Sequence, residues 1–356
     1  MNNIFKFAPS ELVFDAFVCW TLNFFNEGNF EERKYSEEFI NLIYKKKYPN
    51  NDSVKVKKIE VLKKQFGDSL IDVYAKIITL DDKEIHLVFE DKRDTSHHSN
   101  QLERHMKSIE KENGDKIFIY FKIGNIYNEK DIPKEYIILD RKIFLSFLKN
   151  SNLNSDVLKM YIDYLEELQE KEEKILSLIE KNEFTEAEEK ELFGSQYGCY
   201  KIMEKICQEL EKINKEKYGI SIGTSFGRPW TNFTVFSEWN PEINLWRGIY
   251  WRLDWRINDE KKWKPYLCLR NYKTSKETTE IDNKYFNIQR EIFKELESKY
   301  NEIIFSKVHN KGAKEREIGI LFFEKENTIK KIVELIPKFT EDFKKLVIDK
   351  KSFYSL

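Results

Sequence analysis

Cysteine is scarce in this chain. Four cysteines stand in 356 residues, at positions 19, 199, 207 and 268, and the nearest two are eight apart. That spacing excludes a zinc ribbon and a disulfide framework, and it predicts buried, reduced thiols in a cytoplasmic protein. An excess of charge of one sign is also missing: 61 basic against 62 acidic residues leave a net charge of −1. A wholly basic nucleic-acid coat is therefore excluded, and any nucleic-acid surface must be a local patch. Long apolar runs are absent as well. The most apolar early stretch, Leu12 to Phe25, contains Asp15 and is too short to span a bilayer, so no membrane partner is expected. The N-terminus lacks a basic region followed by an apolar core, so no signal peptide is expected. No internal repeat is seen. The segment Gly223–Gly227 (GTSFG) lacks the Lys-Ser/Thr ending of a phosphate-binding loop. No histidine pair has HExxH or HxxxH spacing, which leaves little case for zinc.

What remains is ample for globular structure. Hydrophobic residues make up 40% and aromatic residues 15% of the chain, and the length calls for more than one core. Residues 10–26 predict a helix with almost no polar face, N-capped at Ser10, and 35–48 predict an amphipathic one. Strand character follows in Val54 to Gln65, Ser69 to Leu80 and Glu84 to Lys92, separated by the turns Gly67-Asp68 and Asp81-Asp82-Lys83. Residues 99–112 predict a helix, and Lys116–Ile123 and Glu135–Leu139 two more strands. Helix, three strands, helix, strand, strand is an α/β order for a first domain over 1–150.

Residues 151–192 read as a solvated helical connector, since eleven Glu and four Lys lie between Glu166 and Glu191. The third region, 193–356, reads as α+β. A helix is expected over 195–217, strands over Arg247–Ile257, Tyr266–Tyr272 and Glu317–Glu324, and helices over 282–300 and 328–348, the last kinked or divided at Pro337. In the Arg247–Ile257 strand, Ile249, Trp251, Leu253, Trp255 and Ile257 share one face. Tyr250, Arg252, Asp254 and Arg256 share the other.

The chemistry concentrates between Leu70 and Gln101. Residues two apart on a strand point to one face, so Glu90 and Lys92 project together with His86 and Val88. An antiparallel neighbour brings Asp72 beside them. Ionised groups at a core margin are costly unless paired or bound to metal. Two converging carboxylates make a hard, oxygen-rich site for Mg²⁺, with Mn²⁺ as a substitute. A lysine beside them can orient or deprotonate a water, or hold developing charge. Such a set suits phosphodiester hydrolysis; an ordinary ion-pair network at a sheet margin is the structural alternative.

These residues resemble the PD-(D/E)XK nuclease superfamily, whose αβββαβ core has a mixed sheet. Asp72 in Leu70-Ile71-Asp72-Val73 matches the first motif, without a preceding proline, and Glu90-Asp91-Lys92 matches the second. Gln101-Leu102-Glu103-Arg104-His105 is similar to the QLxRY element of one branch, with His105 where tyrosine is usual. Ser10-Glu11-Leu12 through Trp20 resembles the first helix of that branch. The resemblance spans residues 8–140. It implies that Asp72 and Glu90 hold the metal, with Glu11 as a further acidic group. Lys92 then positions the water, and Gln101 supports the site. His97 and His98 are expected in a loop beside it, within reach of phosphate.

In the third region the expected nucleic-acid ligands are Arg228, Arg252, Arg256 and Arg270 among aromatic residues. Asp254 offers the competing role of neutralising Arg252 and Arg256. The resemblance thus implies a Mg²⁺-dependent nuclease, DNA favoured by family habit, with a role in restriction or anti-phage defence. Duplex cutting implies a homodimer, and the C-terminal domain leaves room for a regulatory protein partner. Two alternatives stand beside it: a non-catalytic or partner-activated binding module on the same fold, and a toxin-like RNase.

Overall fold

A computed structural model describes residues 3–7, 10–62, 65–66, 69–92, 100–125, 127, 132–240, 245–258, 260–273, 280–307 and 315–350. The side chains of residues 10–12, 62–70, 238–246 and 281 lie outside that description. The chain divides into two compact units, Met1–Glu170 and Lys171–Leu356.

In the first unit a 3₁₀ turn, Ile4–Lys6, precedes α1 (Ser10–Glu27) and α2 (Phe30–Lys47). The second helix starts five residues before the expected position. Asn29 caps it by accepting from the Glu32 N–H at 3.1 Å, while Glu32 accepts from the Asn29 N–H at 2.8 Å. This reciprocal box satisfies two orphan donors and lets a polar first turn remain helical. Strands β1 (Val56–Leu62), β2 (Gln65–Phe66), β3 (Ser69–Leu70), β4 (Val73–Thr79) and β5 (Glu84–Lys92) follow. The single strand expected over Val54–Gln65 is therefore two. Then come α3 (Gln101–Ser108), shorter at both ends than expected, β6 (Asp115–Lys122), β7 (Tyr136–Asp140) and α4 (Arg141–Asn150).

The sheet has the order β1-β4-β5-β6-β7. Its first two pairings are antiparallel and its last two parallel. Strand β5 is thus the seam between the halves, and every residue from Ile85 to Lys92 is buried. Burial of both faces explains why its sequence is a continuous apolar run rather than an alternation. Phe14, Phe17, Phe39, Phe89, Phe121 and Phe144 fill the core on one side. Tyr74, Val88, Leu102, Phe118 and Tyr136 form the smaller core on the other, which α3 covers. The unit is therefore α/β with a mixed sheet.

Helix α5 (Asp156–Ile179) crosses the boundary between the units. The expected connector, 151–192, is accordingly divided: Leu158, Tyr161 and Leu165 are buried in the first core, and Ile175, Leu178 and Leu192 in the second. Its glutamates occupy the faces left over.

The second unit contains α6 (Glu186–Gly194), α7 (Gln196–Asn214), β8 (Ile220–Ser225), β9 (Arg228–Asn240), β10 (Leu245–Ile257), β11 (Trp263–Lys273), α8 (Glu280–Lys299), β12 (Glu315–Phe322) and α9 (Ile329–Asp349). Its five-stranded sheet, β12-β11-β10-β9-β8, is antiparallel throughout. Strands β8 and β9 extend the sheet beyond the three that the sequence suggests. The expected alternation in β10 holds: Ile249, Trp251 and Leu253 are buried in the main core, beside residues of α7, α8 and α9. The Trp251 indole N–H donates to Thr340 Oγ1 at 2.8 Å, and that hydroxyl donates to the Ile336 carbonyl at 2.6 Å. Of the two outcomes expected at Pro337, a kink or a division, division does not occur: α9 runs through it, and Ile336, Phe339 and Phe343 all pack into this core.

Candidate active site

Strands β4 and β5 form a tight antiparallel hairpin in which Val73 faces Phe89. Continuing that register puts Asp72 opposite Glu90. Asp72 is half-buried, and its Oδ2 accepts the backbone N–H of Asp91 at 3.0 Å. The first motif residue is thereby fixed against the backbone of the second.

Glu90 has no solvent exposure, and Lys92 only 7%. The Lys92 ammonium contacts Glu90 Oε1, and His105 Nδ1 lies 3.3 Å from Glu90 Oε2. A carboxylate this deep would be costly without such neighbours. His105 reaches it because Leu102 and Ile109 anchor α3 on the sheet, and because the Tyr136 hydroxyl donates to the Leu102 carbonyl at 3.2 Å. Gln101 is four residues before His105, so it occupies the same helix face one turn earlier. It is half-buried there.

Two features of the site escape a reading of local spacing. The first is His105 as a neighbour of Glu90. The second is Lys122, which is 2% exposed. Parallel pairing sets Lys122 beside Lys92, and Tyr120 beside Glu90. Residues in register across a ladder share a face, so Lys122 joins the margin that carries Glu90 and Lys92. A signal was present: Lys122 ends the apolar run KIFIYFK as Lys92 ends EIHLVFEDK.

His86, on the same face, belongs to the core. The Tyr74 hydroxyl lies 2.6 Å from its Nδ1, and its Nε2 lies 2.5 Å from the Asn113 carbonyl. Since a carbonyl only accepts, Nε2 carries the proton and Nδ1 accepts from Tyr74. Asp91 points to the opposite core, where its charge and burial together hold the Tyr161 phenol well above its usual range, burial being the larger cause.

No family model, curated protein or solved structure matches the chain.

Glu11 lies in the first turn of α1, but its side chain is outside the described residues, as are His97 and His98 entirely. Among the described residues no group of three or more His, Cys, Asp or Glu side chains is arranged to hold a metal. Two carboxylates nevertheless fit Mg²⁺ by donor chemistry. That ion keeps several of its waters and needs only one or two protein carboxylates. Among the described residues no helix is long and apolar enough to cross a membrane.

The arginines expected to bind nucleic acid separate into two groups. Arg252, Arg256 and Arg270 lie on one face of the second sheet and are engaged by acids. Arg252 Nε donates to Asp254 Oδ2 at 2.7 Å. Arg256 Nη2 donates to both oxygens of Glu317, at 2.7 and 2.9 Å. Arg270 donates to Glu315 at 3.0 Å and to the Tyr266 hydroxyl. Glu317 is wholly buried. The face is thus a charge-balanced ladder of three arginines and three acids. Arg228 is elsewhere, at the β8–β9 turn, with its guanidinium 4.0 Å from the centre of the Trp263 ring.

Proposed function

We propose that the first unit is a metal-dependent phosphodiesterase acting on nucleic acid, with DNA favoured, built on a PD-(D/E)XK-type core. The sheet order and the mixture of antiparallel and parallel pairings support that fold. The observation that carries the activity is the convergence of Asp72, Glu90 and Lys92 at one strand margin, with Asp72 bonded to the Asp91 N–H.

In this reading Asp72 and Glu90 hold Mg²⁺, or Mn²⁺ in its place, with Glu11 as the further acidic group. The bound ion supplies Lewis-acid polarisation of a phosphate oxygen and a more acidic water. Lys92 brings a fixed ammonium to where negative charge develops on the phosphate, and Glu90 sets its position. His105 and Gln101 hold Glu90 and its surroundings in place from α3. The Asp91 amide fixes one oxygen of Asp72, which leaves the other to face the site.

One observation favours a second reading. Both oxygens of Glu90 already have neighbours, the Lys92 ammonium at one and the His105 imidazole at the other, which is what a purely structural polar network requires. A non-catalytic or partner-activated binding module on the same core follows from that reading.

Cleavage of supercoiled plasmid, linear duplex, single-stranded DNA and RNA, each with Mg²⁺, Mn²⁺ or EDTA, separates the two. Asp72→Asn is the informative variant, because its amide oxygen can still accept the Asp91 N–H while the charge is lost. Metal-dependent cutting that Asp72→Asn and Glu90→Gln both abolish supports the nuclease. Cutting that survives both variants overturns the site. No cutting of any substrate moves the assignment to the binding module, and cutting of RNA alone to the toxin-like RNase.

A further inference from the structure

The second unit carries an aromatic and basic surface that the nuclease reading leaves unused. Strands β8 and β9 are joined by the two-residue turn Phe226-Gly227, with Ser225 paired to Arg228. Both turn residues have positive φ, 51° and 73°, the conformation of a type I′ hairpin turn. Gly227 adopts it freely. Phe226 does so against the preference of an L-residue with a large side chain. It is also 96% exposed, so no packing within the described chain accounts for an aromatic residue at this position.

The neighbouring β10–β11 turn contributes Trp263, 44% exposed, under the Arg228 guanidinium. Between the two turns lies a cavity of about 810 Å³. Its charged lining comprises Arg228, Lys190, Lys261, Lys262 and Lys264 against Glu186 and Glu189. Lys264 is engaged by Glu189 at 2.9 Å, and Lys262 by the exposed Glu260 at 3.5 Å. Among the described residues, Arg228, Lys190 and Lys261 remain as excess positive charge opposite Glu186. Trp255 also lines the cavity, and its indole N–H is buried with no acceptor among the described residues. An adjoining cavity of about 410 Å³ is lined by Glu183, Glu189, Glu260, Glu324 and Glu326 against Lys264 and Lys325, and this acidic excess bounds the basic surface on that side.

Exposed flat aromatic rings beside unneutralised cations form a surface for unpaired bases and their phosphates. We infer that the two hairpin turns seat a single-stranded segment of nucleic acid, with bases stacked on Phe226 and Trp263 and phosphates held by Arg228 and Lys261. The choice of occupant rests on the nuclease reading of the first unit. The seat itself rests on the second unit alone. It also moves the expected nucleic-acid contacts away from the arginine ladder, whose charges are already balanced.

The test is direct binding by the full chain in EDTA, which prevents metal-dependent cutting. The probes are fluorescein-labelled fifteen-residue oligothymidylate and oligouridylate, read by anisotropy and by tryptophan quenching. Phe226→Gly removes the ring and relieves the positive φ, so the fold is retained. Trp263→Ala and Arg228→Gln complete the set, and Phe30→Ala, an exposed phenylalanine on the first unit, is the control. The expected result is quenching on binding in the wild type and affinity loss of roughly fivefold or more for each aromatic variant. Arg228→Gln should weaken binding with a shallower salt dependence, and the control should bind normally. Comparing the two oligonucleotides assigns DNA or RNA.

Absence of binding to either oligonucleotide overturns the proposal. So does binding unchanged by Phe226→Gly and Trp263→Ala, tighter binding of a duplex, or full competition by inorganic polyphosphate, which has charge but no bases. Failure here with metal-dependent cutting intact removes only the seat. Aromatic-dependent binding without any cutting removes only the nuclease.

Discussion

Replacing Lys92 by methionine tests whether the Glu90–Lys92 contact holds the site together. Glu90 is fully buried and the Lys92 side chain is 9% exposed. Removing one partner of a buried pair costs about 3–5 kcal/mol, because the remaining charge is left in a low-dielectric environment. His105 stays 3.3 Å from the other Glu90 oxygen, which sets the expectation at the low end, about 3 kcal/mol. The double variant Glu90→Gln/Lys92→Met removes both charges at nearly constant volume. It should return to within about 1 kcal/mol of the wild type. The recovery from Lys92→Met to the double variant, about 2 kcal/mol, is roughly a thirtyfold change in a local opening equilibrium. Native-state hydrogen exchange of the β4 and β5 amides reads that opening without interference from the second unit. Protection in Lys92→Met within about threefold of the wild type, or strictly additive single variants, would refute the argument. The double variant separates folding from function, since it should be well folded and unable to cut.

Other perturbations give equally definite outcomes. At Gly319 a Cβ would lie 1.9–2.4 Å from the Phe293 ring, so Gly319→Ala should destabilise the second unit by about 1–3 kcal/mol in urea unfolding. Phe293→Leu in the same chain should recover part of that loss. Burial pushes the Cys268 thiol up to about 12 and also raises Cys199 and Cys207, whereas Cys19 is only half-buried. Thiol titration of the native protein at pH 8 should therefore report at most one of four cysteines, and all four in denaturant. Burial, with smaller contributions from Glu112 and Glu84, pushes the Tyr74 phenol up to about 12. Its folded value thus exceeds the ordinary value near 10. The associated stability is complete below about pH 10 and is lost as pH climbs toward 12. Tyr74→Phe should accordingly lose less stability than the wild type between pH 9 and 11 in urea unfolding.

Local patterns carried much of this structure. The turn at Asp81-Asp82-Lys83 and the parity of Glu90 and Lys92 bring Asp72 to its place, since all three belong to one hairpin. The apolar face of β10 was legible for the same reason. What lay beyond reach was pairing across long separations. Lys122 meets Lys92 only through a parallel crossover. Glu317 and Glu315 meet Arg256 and Arg270 from 61 and 45 residues away, so the sequence shows the arginines without the acids that neutralise them. Strands β8 and β9 were obscured by their polar alternation, with Ser221 between Ile220 and Ile222, and Asn232 and Thr234 flanking Phe233. The early start of α2 depends on a side-chain cap at Asn29 rather than on apolar periodicity.

The seam position of β5 has a kinetic consequence. Its antiparallel partner is reached through a short turn, whereas its parallel partner requires a crossover through α3. Loop closure for the hairpin is fast, and the crossover pairing is slower because more chain must be ordered first. Both carboxylates should therefore meet early in folding, before Lys122 and His105 arrive to surround them. In pulsed hydrogen exchange during refolding, β4 and β5 should gain protection before β6. The reverse order would mean that the parallel half nucleates the unit.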